Sequence, residues 1–389
     1  MRILIATDTF TPMVNGAVTS ILCLKKGLEA LGHKVKILTL APGRRSYEED
    51  GVVRLGSFGA GAVYPGARWR LCSGRRLLRA LIRWKPDIIH TQNEFSTFAA
   101  AKRIAARTGA PVIHTYHTVY EEYTRYFCPS ERLGRFIAAR LTRQRLSRVT
   151  YVIAPTAKIR SLLYRYRVRP VVRIVPSGID TDLYAAARPD ERLHARLNIP
   201  ADAPVALFVG RLGYEKNVSA VLRAFAAAGT GYLILAGDGP YRSTLEREAA
   251  DSGAGDRIRF VGMVDRAELP AYYKTADAFV NASKSETQGL TVIEALASGL
   301  PVVCLDDESY RGAVADGENG FLCADEADLA EKLGRVLRDR PLGARLSARA
   351  EQSAERFSAV AFAQAVERVY LAGLEAAVRP RVQPRPVKN

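Results

Sequence analysis

Short apolar runs rich in β-branched residues alternate with amphipathic stretches along most of the chain. In the first part, the runs at 2–8, 34–40, 87–92, 111–116, 151–155 and 171–175 read as strands. Apolar positions at helical spacing predict helices over 18–31, 73–84, 95–108, 130–147 and 157–166. That alternation is the signature of a parallel, helix-covered sheet. The rhythm pauses at Val175-Pro-Ser-Gly-Ile-Asp-Thr-Asp-Leu-Tyr184, which holds a Pro and a Gly but no periodicity. It then restarts, with strands expected at 205–209, 232–236, 258–261, 278–281 and 302–305. Helices are expected at 217–228, 241–251, 266–275, 290–298, 327–338 and 359–376.

The pattern therefore predicts an α/β protein of two doubly wound, Rossmann-like domains, 1–178 and 179–360, facing a central cleft. Open α/β sheets bind ligands at the carboxyl ends of their strands. Residues 361–378 are expected to form a helix packing back toward the first domain. The Pro- and Arg-rich end, 379–389, reads as a disordered tail.

Composition narrows the class. At 389 residues, 48% apolar and 25% charged, the chain is long for a single core and has a globular balance. No run of 18 apolar residues is present, and the start, Met1-Arg-Ile-Leu-Ile-Ala-Thr-Asp8, reads as a strand rather than a signal peptide. A cytoplasmic protein is expected. Cys23, Cys72, Cys128, Cys304 and Cys323 are odd in number and lack C-x-x-C spacing, so they read as reduced thiols, neither a zinc site nor a disulfide framework.

Charge changes the picture more. Residues 1–185 hold 31 Lys/Arg against 12 Asp/Glu, a balance of +19, whereas the remainder carries −2. An excess confined to one half marks a polyanionic partner, nucleic acid or an anionic membrane face, although Arg-rich genomic composition gives the same surface. No nucleic-acid motif is present and the second half is mildly acidic, so the membrane is the expected partner, on the inner face of the cell membrane. Arg75, Arg76, Arg79 and Arg83 recur at near-helical spacing, with Trp69 and Trp84 at the flanks; Arg132, Arg135, Arg140, Arg143, Arg145 and Arg148 form a second patch. Basic helices carrying Trp and Leu suit a membrane surface, and equally an ordinary solvated face.

The candidate chemistry begins at Ser285-Glu-Thr-Gln-Gly-Leu-Thr-Val-Ile-Glu294. Glu286 and Glu294 bracket a Gly-containing turn that leads into a helical pattern. Backbone N–H groups at such a helix start suit a phosphate, and flanking carboxylates suit hydroxyls, together describing a nucleotide-sugar. Arg211, beside Gly210 at a strand end, and Lys216, opening the next helix, can clamp a diphosphate. Ala236-Gly-Asp-Gly-Pro240 is a weaker signal, a tight turn at least as well as a ligand contact, and Gly262 marks a similar strand end. In the first half, Gly16 at a helix entrance lets a phosphate or sugar approach closely. His114 and His117 end a strand, and His117 at its tip faces the expected cleft.

Together these residues resemble the retaining glycosyltransferases of the GT-B fold, over nearly the whole chain. The resemblance rests on Glu286 and Glu294 in a Glu-x7-Glu pattern, on Gly210-Arg-Leu…Glu-Lys-Asn217, and on Val175-Pro-Ser-Gly-Ile-Asp180. It implies that Arg211 and Lys216 bind the donor diphosphate, that Glu294 holds the ribose, and that Gly289, Leu290 and Thr291 offer backbone N–H groups. It implies further that Glu286 and His117 contact the donor sugar. Within the family, His114-Thr-Tyr-His-Thr-Val-Tyr-Glu-Glu-Tyr123 and Gln288-Gly289, where many relatives carry Phe-Gly, look most like bacterial diacylglycerol glucosyltransferases. The implied reaction is transfer of glucose from UDP-glucose to diacylglycerol with retention, by same-face attack, with no cofactor and no metal. A soluble acceptor or phosphatidylinositol is the competing expectation.

Overall fold

The computed structural model describes residues 1–13, 15–59, 68–71, 74–121 and 130–378. The expected tail 379–389, Cys72, Cys128, and Glu122 and Tyr123 of the histidine motif lie outside them. The chain divides into two compact units. One comprises Met1–Pro155, Ile159–Val175 and the chain from Phe362; the other comprises Thr156–Lys158 and Pro176–Ala361.

In the first unit, ten strands are β1 Arg2–Ala6, β2 Lys34–Leu40, β3 Tyr47–Glu49, β4 Val52–Leu55, β5 Ser57–Gly59, β6 Arg68–Arg70, β7 Ile88–Thr91, β8 Val112–Thr115, β9 Tyr151–Ala154 and β10 Val171–Ile174. Eight form one sheet in the order β10-β9-β8-β7-β1-β2-β4-β3. All neighbours are parallel except β3 and β4. Ile3, Leu4, Ile5 and Ala6 are all fully buried, as a strand covered on both faces requires. The helices are α1 Gly16–Ala30, α2 Arg75–Trp84, α3 Ser96–Thr108, α4 Glu131–Leu146 and α5 Ala157–Arg165.

The segment between β2 and α2 holds strands that the sequence pattern does not predict. Glu49 pairs with Val52 across Asp50-Gly51, whose φ values are 47° and 75°. An Asp-Gly pair in that conformation is a strong hairpin former.

The second unit contains β11 Val205–Val209, β12 Tyr232–Ala236, β13 Ile258–Gly262, β14 Ala278–Asn281, β15 Val302–Leu305 and β16 Gly320–Cys323, ordered β13-β12-β11-β14-β15-β16 and parallel throughout. Its helices are α6 Thr181–Ala185, α7 Leu193–Arg196, α8 Val218–Ala228, α9 Arg242–Asp251, α10 Leu269–Thr275, α11 Leu290–Ala297, α12 Glu326–Arg338 and α13 Arg340–Ala354. Ala206 and Phe208 join one apolar core, while Val205, Leu207 and Val209 join another. Two-residue periodicity thus feeds both faces of the sheet. Cys323 lies in the first core and Cys304 in the second, both as buried free thiols, and Cys23 is buried too.

Helix α14, Ala359–Val378, begins in the second unit and belongs to the first from Phe362. There Tyr370 OH meets His90 Nδ1 at 2.8 Å, and His33 Nε2 meets Glu367 at 2.8 Å. Among the described residues no helix is long and apolar enough to cross a membrane.

Candidate active site

In both sheets the strand order reverses once, between β1 and β7 in the first and between β11 and β14 in the second. At such a switch point the loops leave in opposite directions and open a crevice at the strand carboxyl ends. Arg211, Lys216 and Glu286 follow β11 and β14 at the second of these points; Gly16 follows β1 at the first, and His117 follows the neighbouring β8.

In the second unit, β11 delivers Gly210 and Arg211, and β14 delivers the loop holding Glu286. The two loops are sewn together: Asn217 Nδ2 donates to Ala282 O at 3.2 Å and Ser285 Oγ to Glu215 O at 2.9 Å. Across this seam Lys216 Nζ lies 2.5 Å from Glu286 Oε1, both side chains half-buried. Arg211 pairs with Glu215 one turn away. Both cations of the expected diphosphate clamp are thus held at the crevice by carboxylates.

Gly289 caps α11 with φ +75°, and a Cβ there would lie 2.6 Å from Tyr310 Cε1. Only glycine fits both the left-handed backbone and that ring. Leu290 and Thr291 then open α11, where the first N–H groups have no intrahelical acceptors and the helix dipole is positive. Glu294 sits one turn further on and is buried, its Oε2 accepting from Tyr273 OH at 2.9 Å. Burial pushes its carboxyl up, while the hydroxyls of Tyr273 and Tyr184 and the charge of Arg266 pull it back.

Gln288 has a structural task that the sequence did not reveal. Its Nε2 donates to Ser177 O at 2.9 Å and its Oε1 accepts from Ser177 N at 2.7 Å, all buried. The amide pins the Pro176–Ile179 corner beside the glycine turn. Thr156 Oγ1 donates to Thr287 O at 2.9 Å, and Lys158 Nζ bridges Lys284 O and Asp307 at 2.7 Å each. The turn is therefore tied to the Pro176–Ile179 corner and to Thr156 and Lys158.

The glycines of Ala236-Gly-Asp-Gly serve packing: a Cβ on Gly237 would lie 1.9 Å from Gly210 O, and one on Gly239 2.4 Å from Leu212 O. They let the β12 loop lie against the β11 loop that carries Arg211.

In the first unit, Gly16 is exposed at the start of α1, where Asn15 Oδ1 caps the Val18 amide at 3.0 Å. His117 follows β8 and its Nε2 meets Gln92 Oε1 at 2.6 Å. Burial first, then the neighbouring His114, hold its pKa down to about 4. The ring is neutral near pH 7. With Nε2–H donated to Gln92, Nδ1 is left as the acceptor.

Around it the structure gathers residues that the sequence pattern does not single out. Glu94 is buried, accepting from Tyr120 OH and meeting His114 Nε2 at 3.2 Å. Asp8 accepts from the Thr97 amide at 2.8 Å, and burial raises its carboxyl to about 6. The polar run His90-Thr-Gln-Asn-Glu94, immediately after buried Ile88-Ile89, was the available signal.

Of the basic residues, Arg75, Arg76, Arg79 and Arg83 are all exposed on α2. Trp84 is partly buried. It packs against the core of the unit, with Lys36 Nζ 5.6 Å from its ring centroid. Trp69 is 46% exposed, paired across the β5–β6 hairpin with Phe58.

Residues 14–183 match the model of glycosyltransferase family 4, and residues 189–353 that of glycosyl transferases group 1. The chain is 33% identical to an alpha-monoglucosyldiacylglycerol synthase of Acholeplasma laidlawii, over 95% of this chain and 97% of that one. It is 38% identical to the enzyme of the same name from Streptococcus pneumoniae, over 85% and 77%. Among solved structures, a sucrose-phosphate synthase from Thermosynechococcus elongatus superposes with a TM-score of 0.76 at 23% identity, covering 96% of this chain and 99% of that one.

Proposed function

The chain belongs to the GT-B glycosyltransferases of group 1, and on that premise we propose that it transfers glucose from UDP-glucose to diacylglycerol, with retention, at an anionic membrane surface. The observation that carries the reading is the convergence at one switch point of Arg211, Lys216, Glu286 and the opening of α11. Relatives named as monoglucosyldiacylglycerol synthases support glucose and diacylglycerol as the pair transferred.

The roles follow from charge. Negative charge grows on the diphosphate as the glycosidic bond breaks, and preset cations stabilise it without reorganising. Arg211 and Lys216 take that part, so the reading assigns the diphosphate to side chains rather than to a metal. Glu294, held by its tyrosines, is assigned to the ribose hydroxyls, and the N–H groups of Gly289, Leu290 and Thr291 to phosphate oxygens. Glu286 and neutral His117 are assigned to sugar hydroxyls. Same-face attack, with the departing phosphate oxygen accepting the acceptor proton, keeps the α configuration and leaves Glu286 free of a covalent role. The basic first unit is assigned to the acceptor side, with α2 toward the lipid headgroups.

The test is purified protein with UDP-glucose and diacylglycerol in phosphatidylglycerol vesicles, the product identified by NMR. An α-glucosyl diacylglycerol is expected. A β-anomer overturns retention, and efficient transfer to a soluble sugar without lipid product overturns the acceptor.

A further inference from the structure

Helix α4 carries an apolar surface that stands exposed among the described residues. Its inner face is built from Gly134, Ala138, Thr142 and Leu146, spaced four apart and buried. On the opposite side Leu133 is 48% exposed, Phe136 61%, Ile137 38% and Leu141 50%. At 100° per residue these four fall within one outward stripe, centred roughly opposite the buried one. Four large apolar side chains in one exposed stripe are unusual for a solvated helix. Arginines surround them: Arg132 and Arg143 on one side, Arg145 on the other, Arg140 between.

We infer that α4 lies in the headgroup layer of an anionic bilayer, with Leu133, Phe136, Ile137 and Leu141 inserted among the acyl chains. Charge selects this occupant. The helix carries five arginines against Glu131 alone, and the residues up to 185 carry +19. A second copy of the chain seated on the stripe would face arginine with arginine. A bilayer supplies both the hydrocarbon and the anions, since arginine stems lie along apolar surface while the guanidinium reaches a phosphate. The 16-residue helix spans about 24 Å, enough to lie flat in an interface. Helix α2 differs in kind: Leu78 and Leu81 are buried and its exposed face is arginine, so it contributes attraction without insertion. The inference extends the lipid-acceptor reading by naming the element that enters the lipid.

The experiment compares the full chain with its Leu133→Ser/Phe136→Ser/Leu141→Ser variant on vesicles of phosphatidylglycerol and phosphatidylcholine, at 0.1 M and 0.5 M salt. Charge attraction fades with salt and apolar insertion does not. The parent should keep a salt-resistant bound fraction, and the variant should lose it, with partitioning reduced on the order of a hundredfold. Circular dichroism checks that the variant is folded. In parallel, the Phe136→Trp variant should gain, over the parent, emission that shifts to the blue on vesicles and is quenched by brominated lipid. Emission from the introduced indole that stays unquenched, or equal salt-resistant binding by parent and triple variant, overturns the inference. So does a triple variant that only changes from dimer to monomer, which would make the stripe a contact between copies. Binding needs no turnover. Insertion without glucosyl lipid formation therefore removes the proposed reaction alone, and glucosyl lipid formation without insertion removes the inference alone.

Discussion

Lys216 Nζ and Glu286 Oε1 stand 2.5 Å apart, joining the loop after β11 to the loop after β14. The ammonium is thus placed at the crevice by a partner that itself belongs to the site. Lys216→Ala removes the cation and leaves a half-buried carboxylate without its ion pair. Arg211→Ala removes the cation beside Glu215. Each should lower turnover on the order of 10²–10³-fold, as loss of one charge contact to the transition state does. Steady-state kinetics with UDP-glucose check this; near-parental rates in either folded variant would remove the diphosphate assignment.

Glu286→Gln and Glu294→Gln should separate. The first should depress kcat with UDP affinity largely kept, whereas the second should weaken UDP binding. Tyr273→Phe should mimic the second in part, because the buried carboxylate loses a donor. Calorimetric titration of UDP against the three variants is the measurement, and equal losses for both glutamines would refute the division.

Gln288→Ala leaves the buried N–H and C=O of Ser177 without partners. The cost should be about 2–4 kcal/mol of stability, with faster hydrogen exchange at the Ser177 amide. An unchanged denaturation midpoint would show that water replaces the clamp.

The pH response carries two signs. His117 has its pKa depressed from 6.5 to about 4, so the folded state binds fewer protons in that window. Stability from this group is present above 6.5 and is lost as pH falls toward 4. Asp8, raised from 3.8 to about 6, does the opposite, favouring the fold as pH falls through 6. Asp8→Asn should therefore steepen acid destabilisation between pH 6 and 4. Gln92→Glu places a carboxylate beside His117 and should raise its pKa, bringing an acid limb of kcat/KM into the range above pH 5. Thermal melts and rate profiles across pH 4–8 decide both.

Reversal of Arg75, Arg76, Arg79 and Arg83 to Glu should weaken binding to anionic vesicles and flatten its salt dependence, each basic residue contributing about 1 kcal/mol near the surface. Unchanged sedimentation with vesicles would make α2 ordinary solvated surface.

Much of this was legible in the residues. Continuous β-branched runs betray buried parallel strands, and the expected site residues Arg211, Lys216 and Glu286 lie in the loops after β11 and β14, with Glu294 one turn into α11. What stayed hidden is instructive. Strand β16 is Gly-Phe-Leu-Cys, too short to show a period. Helix α13 buries only Leu342, Leu346, Ala350 and Ala354, a stripe too thin in apolar mass to stand out. The Asp50-Gly51 hairpin is readable from its dipeptide, although the strands flanking it are too short to announce themselves. The Gln288–Ser177 clamp, 111 residues apart in the chain, depends on tertiary approach that no local pattern carries. Trp84, expected at the flank of the basic run, is partly buried, a packing that composition alone does not carry.

The docking of α14 gives the molecule a particular biography. The first unit's sheet is complete at β10, where His90 Nε2 already meets Thr115 Oγ1 at 2.7 Å, yet its Nδ1 meets Tyr370 OH of α14, and Ile113 lies where a Cβ on Gly373 would touch it at 3.2 Å. At ribosomal rates the interval between making residue 175 and residue 370 is roughly 10–40 s. Throughout it, the part made first lacks the partner of His90 Nδ1 and the contact over Ile113 that α14 brings. A stop placed before Phe362 should therefore leave His90 Nδ1 and Ile113 without the cover that α14 supplies, a cost carried by the unit whose sheet was made first.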